Sequence, residues 1–161
     1  MNKQPKAYVI CGFIGAGKTT FARKLENETG AVRITKDEWM IKIFGNKITS
    51  DKNFEEYDHN IVELTRVFAL KILKAGTDVI IDEGFWEKSQ REDINKRILQ
   101  VGASPIFYYV ECPVEKMRER VVNRSKNPSV DSFEISGEMF DSYLKYWQAP
   151  DESENIIVIK S

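Results

Sequence analysis

The segment Gly12-Phe13-Ile14-Gly15-Ala16-Gly17-Lys18-Thr19 constrains this chain more than any other stretch of it. It matches the pattern G-x-x-x-x-G-K-[ST], whose glycines permit left-handed turns and bring the backbone close to an anion. An apolar run at 7–11 leads into it, and a helical pattern opens directly after it. That order aims successive N–H groups and the positive end of a helix at one point, which makes a nest for phosphate. Lys18 then supplies a point charge for β- and γ-phosphates, and the Thr19 hydroxyl can ligate Mg²⁺. The expected nucleotide-binding positions are Gly12, Gly15, Ala16, Gly17, Lys18, Thr19 and Thr20, with ATP and Mg²⁺ as the expected cofactors.

The rest of the chain alternates β-rich apolar runs with helical patterns, which reads as an α/β fold with a parallel sheet. Candidate strands lie at 7–11, 31–34, 78–82, 106–111 and 156–159. Candidate helices lie at 17–29, 37–44, 54–75, 88–101, 113–125 and 136–147. Within 54–75, Tyr57, Ile61, Leu64, Phe68, Ile72 and Ala75 recur at spacings of three and four and make one apolar stripe. The polar, turn-rich stretch 127–136 reads as a flap. With 161 residues, 42% of them apolar and 30% charged, the chain is expected to be one domain over 1–161. A net charge of -1 argues against a generally basic nucleic-acid binder. No apolar run approaches the roughly 20 residues of a membrane helix. The N-terminus has no signal-peptide pattern, and the two cysteines suit a reduced cytoplasm better than a disulfide scaffold. A cytoplasmic monomer or weak dimer is the resulting expectation.

Three further places carry chemistry. Asp82 closes the apolar run Val79-Ile80-Ile81, where a second acidic residue near Mg²⁺ belongs; a strand-ending turn carboxylate is the plain alternative. Beside it, Glu83 could polarise water, which would make the chain a hydrolytic ATPase. Asp37 follows the second candidate strand and could take the proton from an attacking hydroxyl. It could equally favour a helix start, since Thr35-x-x-Glu38 reads as a capping box. Lys116, Arg120 and Arg124 recur at i, i+4 and i+8, either as a solvated basic face or as a lid closing on phosphates. Arg91 could reach an anionic substrate or lie at the surface. His59 reads as a partly exposed helix residue, and neither Cys11 nor Cys112 has a nucleophile's setting. Trp39, Phe85, Trp86, Tyr146 and Trp147 divide between core and cleft, and the turn at 150–154 is a candidate adenine site.

Taken together, these residues resemble the P-loop kinases related to polynucleotide 5′-hydroxyl kinase, chloramphenicol phosphotransferase and the zeta toxins. The nearest likeness is to bacterial "AAA domain" ATP-binding proteins and predicted kinases, through Ile34, Thr35, Asp37, Trp39 and Met40, and through Asp82, Gly84-Phe85-Trp86 and Arg91. It extends from Val9 to about Val158. The resemblance implies a P-loop NTPase fold: a five-stranded parallel sheet in the order 2-3-1-4-5, flanked by helices, with a lid segment. It further implies Lys18 and Thr19 on ATP-Mg²⁺, Asp82 at the metal, Asp37 as base, and Arg120 and Arg124 as catalytic lid residues. The expected activity is transfer of the γ-phosphate to a hydroxyl; a nucleotide-binding regulator without transfer is a third reading. Polynucleotide kinases carry a basic residue soon after this aspartate, where Trp39 and Met40 stand here. That departure favours a small, partly apolar or aromatic acceptor over nucleic acid.

Overall fold

The computed structural model describes residues 4–126 and 132–161. Its elements run β1 (Lys6–Cys11), α1 (Lys18–Thr29), β2 (Val32–Thr35), α2 (Lys36–Phe44), a 3-10 turn (Ile48–Ser50), α3 (Phe54–Lys74) and β3 (Val79–Gly84). They continue through α4 (Lys88–Gln100), β4 (Ser104–Glu111), α5 (Val114–Lys126), α6 (Gly137–Leu144) and β5 (Ile156–Lys160). All five strands pair in parallel, in the order β2-β3-β1-β4-β5. This is the expected P-loop NTPase sheet.

Strand β1 explains why the sheet is central. Its residues Ala7 through Cys11 are all buried, as a parallel strand covered by helices on both faces requires. Tyr8 and Ile10 pack with Ala22, Leu25, Met117 and Val121 on one face. Ala7 and Val9 pack with Ala69, Leu73, Ile94 and Ile98 on the other. The sheet thus holds its C-terminal strand ends, and whatever loops follow them, on a rigid two-sided core.

Helix α3 corrects the stripe read from the sequence. Its buried face is Ile61, Thr65, Ala69 and Leu73, while Leu64 and Phe68 are 51% and 47% exposed. The helix lies close to the sheet along a row spaced strictly by four, where the small Thr65 and Ala69 permit approach. Phe68 sits beside that row and meets Trp39, with ring centroids 5.9 Å apart. The capping box expected at Thr35 and Glu38 is also absent. The Thr35 hydroxyl donates instead to Asp82 Oδ2 at 3.1 Å, and Glu38 accepts from Arg23 and Arg33. A capping box does form at α4, between Glu87 and Gln90.

Of the expected flap, 127–131 lies outside the described residues. The remainder is anchored: Phe133 and Ile135 are buried, and the Ser125 hydroxyl exchanges hydrogen bonds with the Ile135 main chain. Among the described residues no helix is long and apolar enough to cross a membrane.

Candidate active site

The loop after β1 is built by close backbone approach. The Gly12 N–H donates to the Gly84 carbonyl at 3.0 Å, and a Cβ on Gly12 would lie 2.9 Å from the Val110 carbonyl oxygen. Gly17, at φ 99°, caps α1 in the left-handed conformation that favours glycine. Ala16 is buried, its N–H bonded to the Phe13 carbonyl at 3.2 Å. Gly12 and Ala16 therefore shape the loop, whereas Gly15, Gly17, Lys18, Thr19 and Thr20 line a cleft of ≈ 870 Å³.

The Lys18 ammonium donates to the Phe13 carbonyl at 2.9 Å. Burial lowers it from the usual lysine value, against the pull of Asp82 and Asp37. Thr19 donates to Asp82 Oδ2 at 2.8 Å, the same oxygen that Thr35 reaches. Asp82 is 3% exposed, and burial raises its carboxyl above the usual range despite Lys18 and Thr19. A strand-end turn carboxylate would stand in water; this one is sunk beside the loop.

Asp37 stands on the opposite wall of the cleft, at the first turn of α2, with 48% of its side chain exposed. The Lys36 ammonium lies 3.1 Å from Asp37 and 2.6 Å from Asp58 on α3. Burial alone would lower Lys36, but the two carboxylates together hold it above the ordinary lysine value. Of Lys116, Arg120 and Arg124, helix α5 brings the two arginines to the cleft. Arg120 donates to the Gly15 carbonyl at 3.2 Å and to the Ser161 hydroxyl at 3.0 Å. Arg124 keeps its Nε buried with no partner, and burial lowers its guanidinium against the pull of Asp37. Lys116 is exposed and belongs to solvent.

Glu83 points to the other face of β3 from Asp82, because successive strand residues alternate, yet with its partner Arg66 it still lines the cleft. There it is 7% exposed and held in a two-pronged pair with Arg66 on α3. Arg91 neither reaches a substrate nor lies at the surface. It is 3% exposed, pairs with Glu154 at 2.7 Å, and donates to the carbonyls of Phe85, Trp86 and Gln148. Phe85 is a non-glycine residue in the left-handed region, at φ 49°. Arg91 thus fixes a kink that delivers Trp86 to the cleft wall, against Phe13 and Tyr143.

The other aromatic positions separate cleanly. Trp39 packs on Phe68, Trp147 on Phe13 and Tyr109, and Tyr146 is 66% exposed. Met40 is wholly buried, so neither Trp39 nor Met40 lines the cleft and neither speaks for its acceptor. The turn at 150–154 is tied to α4 through Lys88–Asp151 and Arg91–Glu154; Ile159, Lys160 and Ser161 reach the cleft in its place. Ser161 Oγ would stand 3.2 Å from a Cβ on Gly17. His59 is exposed, and burial pushes the Cys11 thiol up to about 12. Sequence reading gave Thr35 as a helix cap and as part of the kinase-like segment, not as a partner of Asp82, and it missed Lys36, Asp58, Tyr143 and Ser161. The only signal for any of these four was the adjacency of Lys36 to Asp37.

The donor set fits a nucleotide triphosphate with a hard cation. A glycine cradle, Lys18 and an unpartnered buried Arg124 Nε offer donors to phosphate oxygens. Thr19 and Asp82 offer one hydroxyl and one carboxylate, which suits Mg²⁺, whose shell phosphates and water complete. Among the described residues no cluster of three or more His, Cys, Asp or Glu could hold a metal alone.

Residues 8–150 match the family model described as "AAA domain". The chain belongs to the AAA domain family. A presumed kinase from Chloroflexus aurantiacus superposes with a TM-score of 0.76 at 16% identity, over 98% of this chain and 89% of its own. A chain of the Pnkp1/Rnl/Hen1 RNA repair complex does so with 0.71 at 24% identity, over 91% of this chain and 45% of its own. The APS kinase CysC of Mycobacterium tuberculosis, in complex with AMPPNP and APS, gives 0.67 at 13% identity, over 98% and 88%. At these identities the likeness is one of fold. No curated protein sequence matches the chain. The AAA domain family member described here thus has a P-loop kinase-like fold, with the loop, Asp37 and two arginines around one cleft.

Proposed function

We propose that this AAA domain protein is a kinase that moves the γ-phosphate of ATP-Mg²⁺ to a hydroxyl of a small molecule. One observation carries the reading: a single cleft is lined by Lys18, Thr19, Arg120, Arg124 and Asp37, with Asp82 buried just behind Thr19 and bonded to it at 2.8 Å. Loop N–H groups, Lys18 and Arg120 would hold the phosphates, and Thr19 with Asp82 would hold the metal. ATP-Mg²⁺ supplies the phosphoryl group and neutralises part of its charge. Arg124, whose Nε lacks a partner, is free to donate to the transferred group. Asp37 aligns the acceptor hydroxyl and takes its proton, which needs positioning more than covalent help. Kinases among the structural neighbours support transfer in general. Trp86 and Tyr143 on the cleft wall offer aromatic surface that supports a small, partly apolar acceptor.

Hydrolysis by Glu83 is the weaker reading, since that carboxylate is buried and engaged by Arg66. No observation favours a regulator without transfer. The test follows label from γ-labelled ATP with Mg²⁺, a metabolite extract and a 5′-hydroxyl oligonucleotide, using Asp37→Ala as control. A labelled small molecule that disappears with the variant supports the proposal. Label on the oligonucleotide transfers the acceptor to nucleic acid. Free phosphate alone, at equal rates with and without Asp37, ends the kinase reading.

A further inference from the structure

The two edges of the sheet are finished differently. At one, β2 is four residues long and carries Arg33, which is held by Glu26 and Glu38. A short strand with charge on it is how an edge is kept from pairing with another chain. At the other edge, β5 reads Ile156-Ile157-Val158-Ile159-Lys160, with no proline and an unbroken register against β4. Ile157 and Val158 are each half-exposed. Among the described residues no strand pairs with the outer side of β5. A β-branched, apolar, unguarded edge is a template for the addition of another strand.

The ladder fixes which groups face outward. The Ser161 N–H donates to the Glu111 carbonyl at 2.9 Å, so residue 161 turns its main chain to β4. Main-chain groups alternate sides along a strand, which turns Ile157 and Ile159 to β4 as well and leaves Val158 and Lys160 facing outward. An antiparallel copy centred on Val158 meets that pattern without a gap. The Val158 N–H and C=O face those of the partner's Val158, and the Lys160 N–H faces the partner's Ile156 carbonyl. Side chains match too, Val158 against itself and Ile157 against the partner's Ile159. Exposed charge agrees with the antiparallel sense: Glu152 stands before the strand, and Lys160 at its end keeps its side chain 80% exposed beside Glu111. Parallel pairing would set like charges together instead.

We propose that the outer edge of β5 is a surface for a second copy of this chain, the two β5 strands pairing antiparallel about a twofold axis at Val158. The two sheets then become one continuous sheet, and the apolar edge is covered. This does not depend on the reaction assigned to the cleft. The pairing strand is also the one whose end carries Ser161 to Arg120, so the joint lies beside the phosphate wall of each copy.

Analytical ultracentrifugation of the full chain tests it. The wild type should show a monomer–dimer equilibrium that moves toward dimer as concentration rises. Val158→Lys and Val158→Asp each set like charges face to face on the axis, and each should weaken association by about tenfold or more. Mixed in equal amounts, the two variants should form a dimer with each other, because opposite charges then meet at the same point. Val158 is half-exposed, so both variants should keep the circular dichroism of the wild type. Leu64→Lys, at an equally exposed apolar position on α3, should leave the dimer intact. A wild type that stays monomeric up to about millimolar concentration overturns the inference. So does a dimer that survives Val158→Lys, that fails to return in the mixture, or that is lost with Leu64→Lys instead.

Discussion

The two walls of the cleft are built on opposite plans. The phosphate wall comes mostly from one continuous stretch, 12–20, completed by α5 and the end of β5. The acceptor wall is assembled from the start of α2, the first half of α3, the kink after β3 and α6. Their cations differ in the same way. Lys18 and Arg120 spend their hydrogen bonds on main-chain carbonyls, one hydroxyl and one thiol, and Arg124 Nε has none. Lys36 and Arg66 are saturated by carboxylates. A cation left without an ion pair in a cleft is available to a ligand, whereas a saturated one fixes its neighbours. The same logic divides Asp82 from Glu83: one is bonded to two hydroxyls beside the loop, the other is locked to a guanidinium across the strand.

That division can be broken at graded cost. Asp37→Ala should reduce phosphoryl transfer by about a hundred- to ten-thousandfold, with AMPPNP affinity changed less than about twofold in titration. An equal loss of nucleotide affinity would erase the distinction between the walls. Arg66→Leu should cost about 3–5 kcal/mol in urea unfolding, because it leaves Glu83 buried without its partner. The double variant Arg66→Leu with Glu83→Leu should recover most of that. Lys18→Met should lower turnover by about a hundred- to a thousandfold and weaken AMPPNP binding, while leaving the unfolding midpoint close to wild type. Smallest of all, Leu64→Ser on the exposed side of α3 should change stability by under about 0.5 kcal/mol. Leu73→Ala on the buried row should cost about 2–5 kcal/mol, and a reversal of those two would restore the stripe first read from the sequence.

How much was legible follows from the same two plans. The phosphate loop, the strand order implied by its kinship, and the sites of Asp82 and Asp37 could be read because each is a local pattern in a fixed strand–turn–helix setting. The partners that give the acceptor wall its charge could not. Asp58 lies 22 residues from the lysine it binds, and nothing in an amphipathic helix pattern says that one of its polar positions faces a cleft. Arg91 was open between substrate and solvent because its pairing with Glu154 spans 63 residues. On α3, period alone pointed to Leu64 and Phe68. The choice between adjacent rows was made by Thr65 and Ala69, whose small side chains only matter once the sheet is in place.

Gly15 has a consequence beyond the turn it permits. A Cβ there would stand 2.7 Å from the Met117 carbonyl oxygen and 2.9 Å from Val121 Cγ2, both on α5. The missing methyl group therefore sets the gauge between the loop and α5 at its tightest value. Arg120, bonded to the Gly15 carbonyl, sits at the fulcrum; Arg124, one turn farther out, sits on the lever arm. An alanine at 15 would act as a shim under that lever, tilting Arg124 away from the phosphates before it touched any of them.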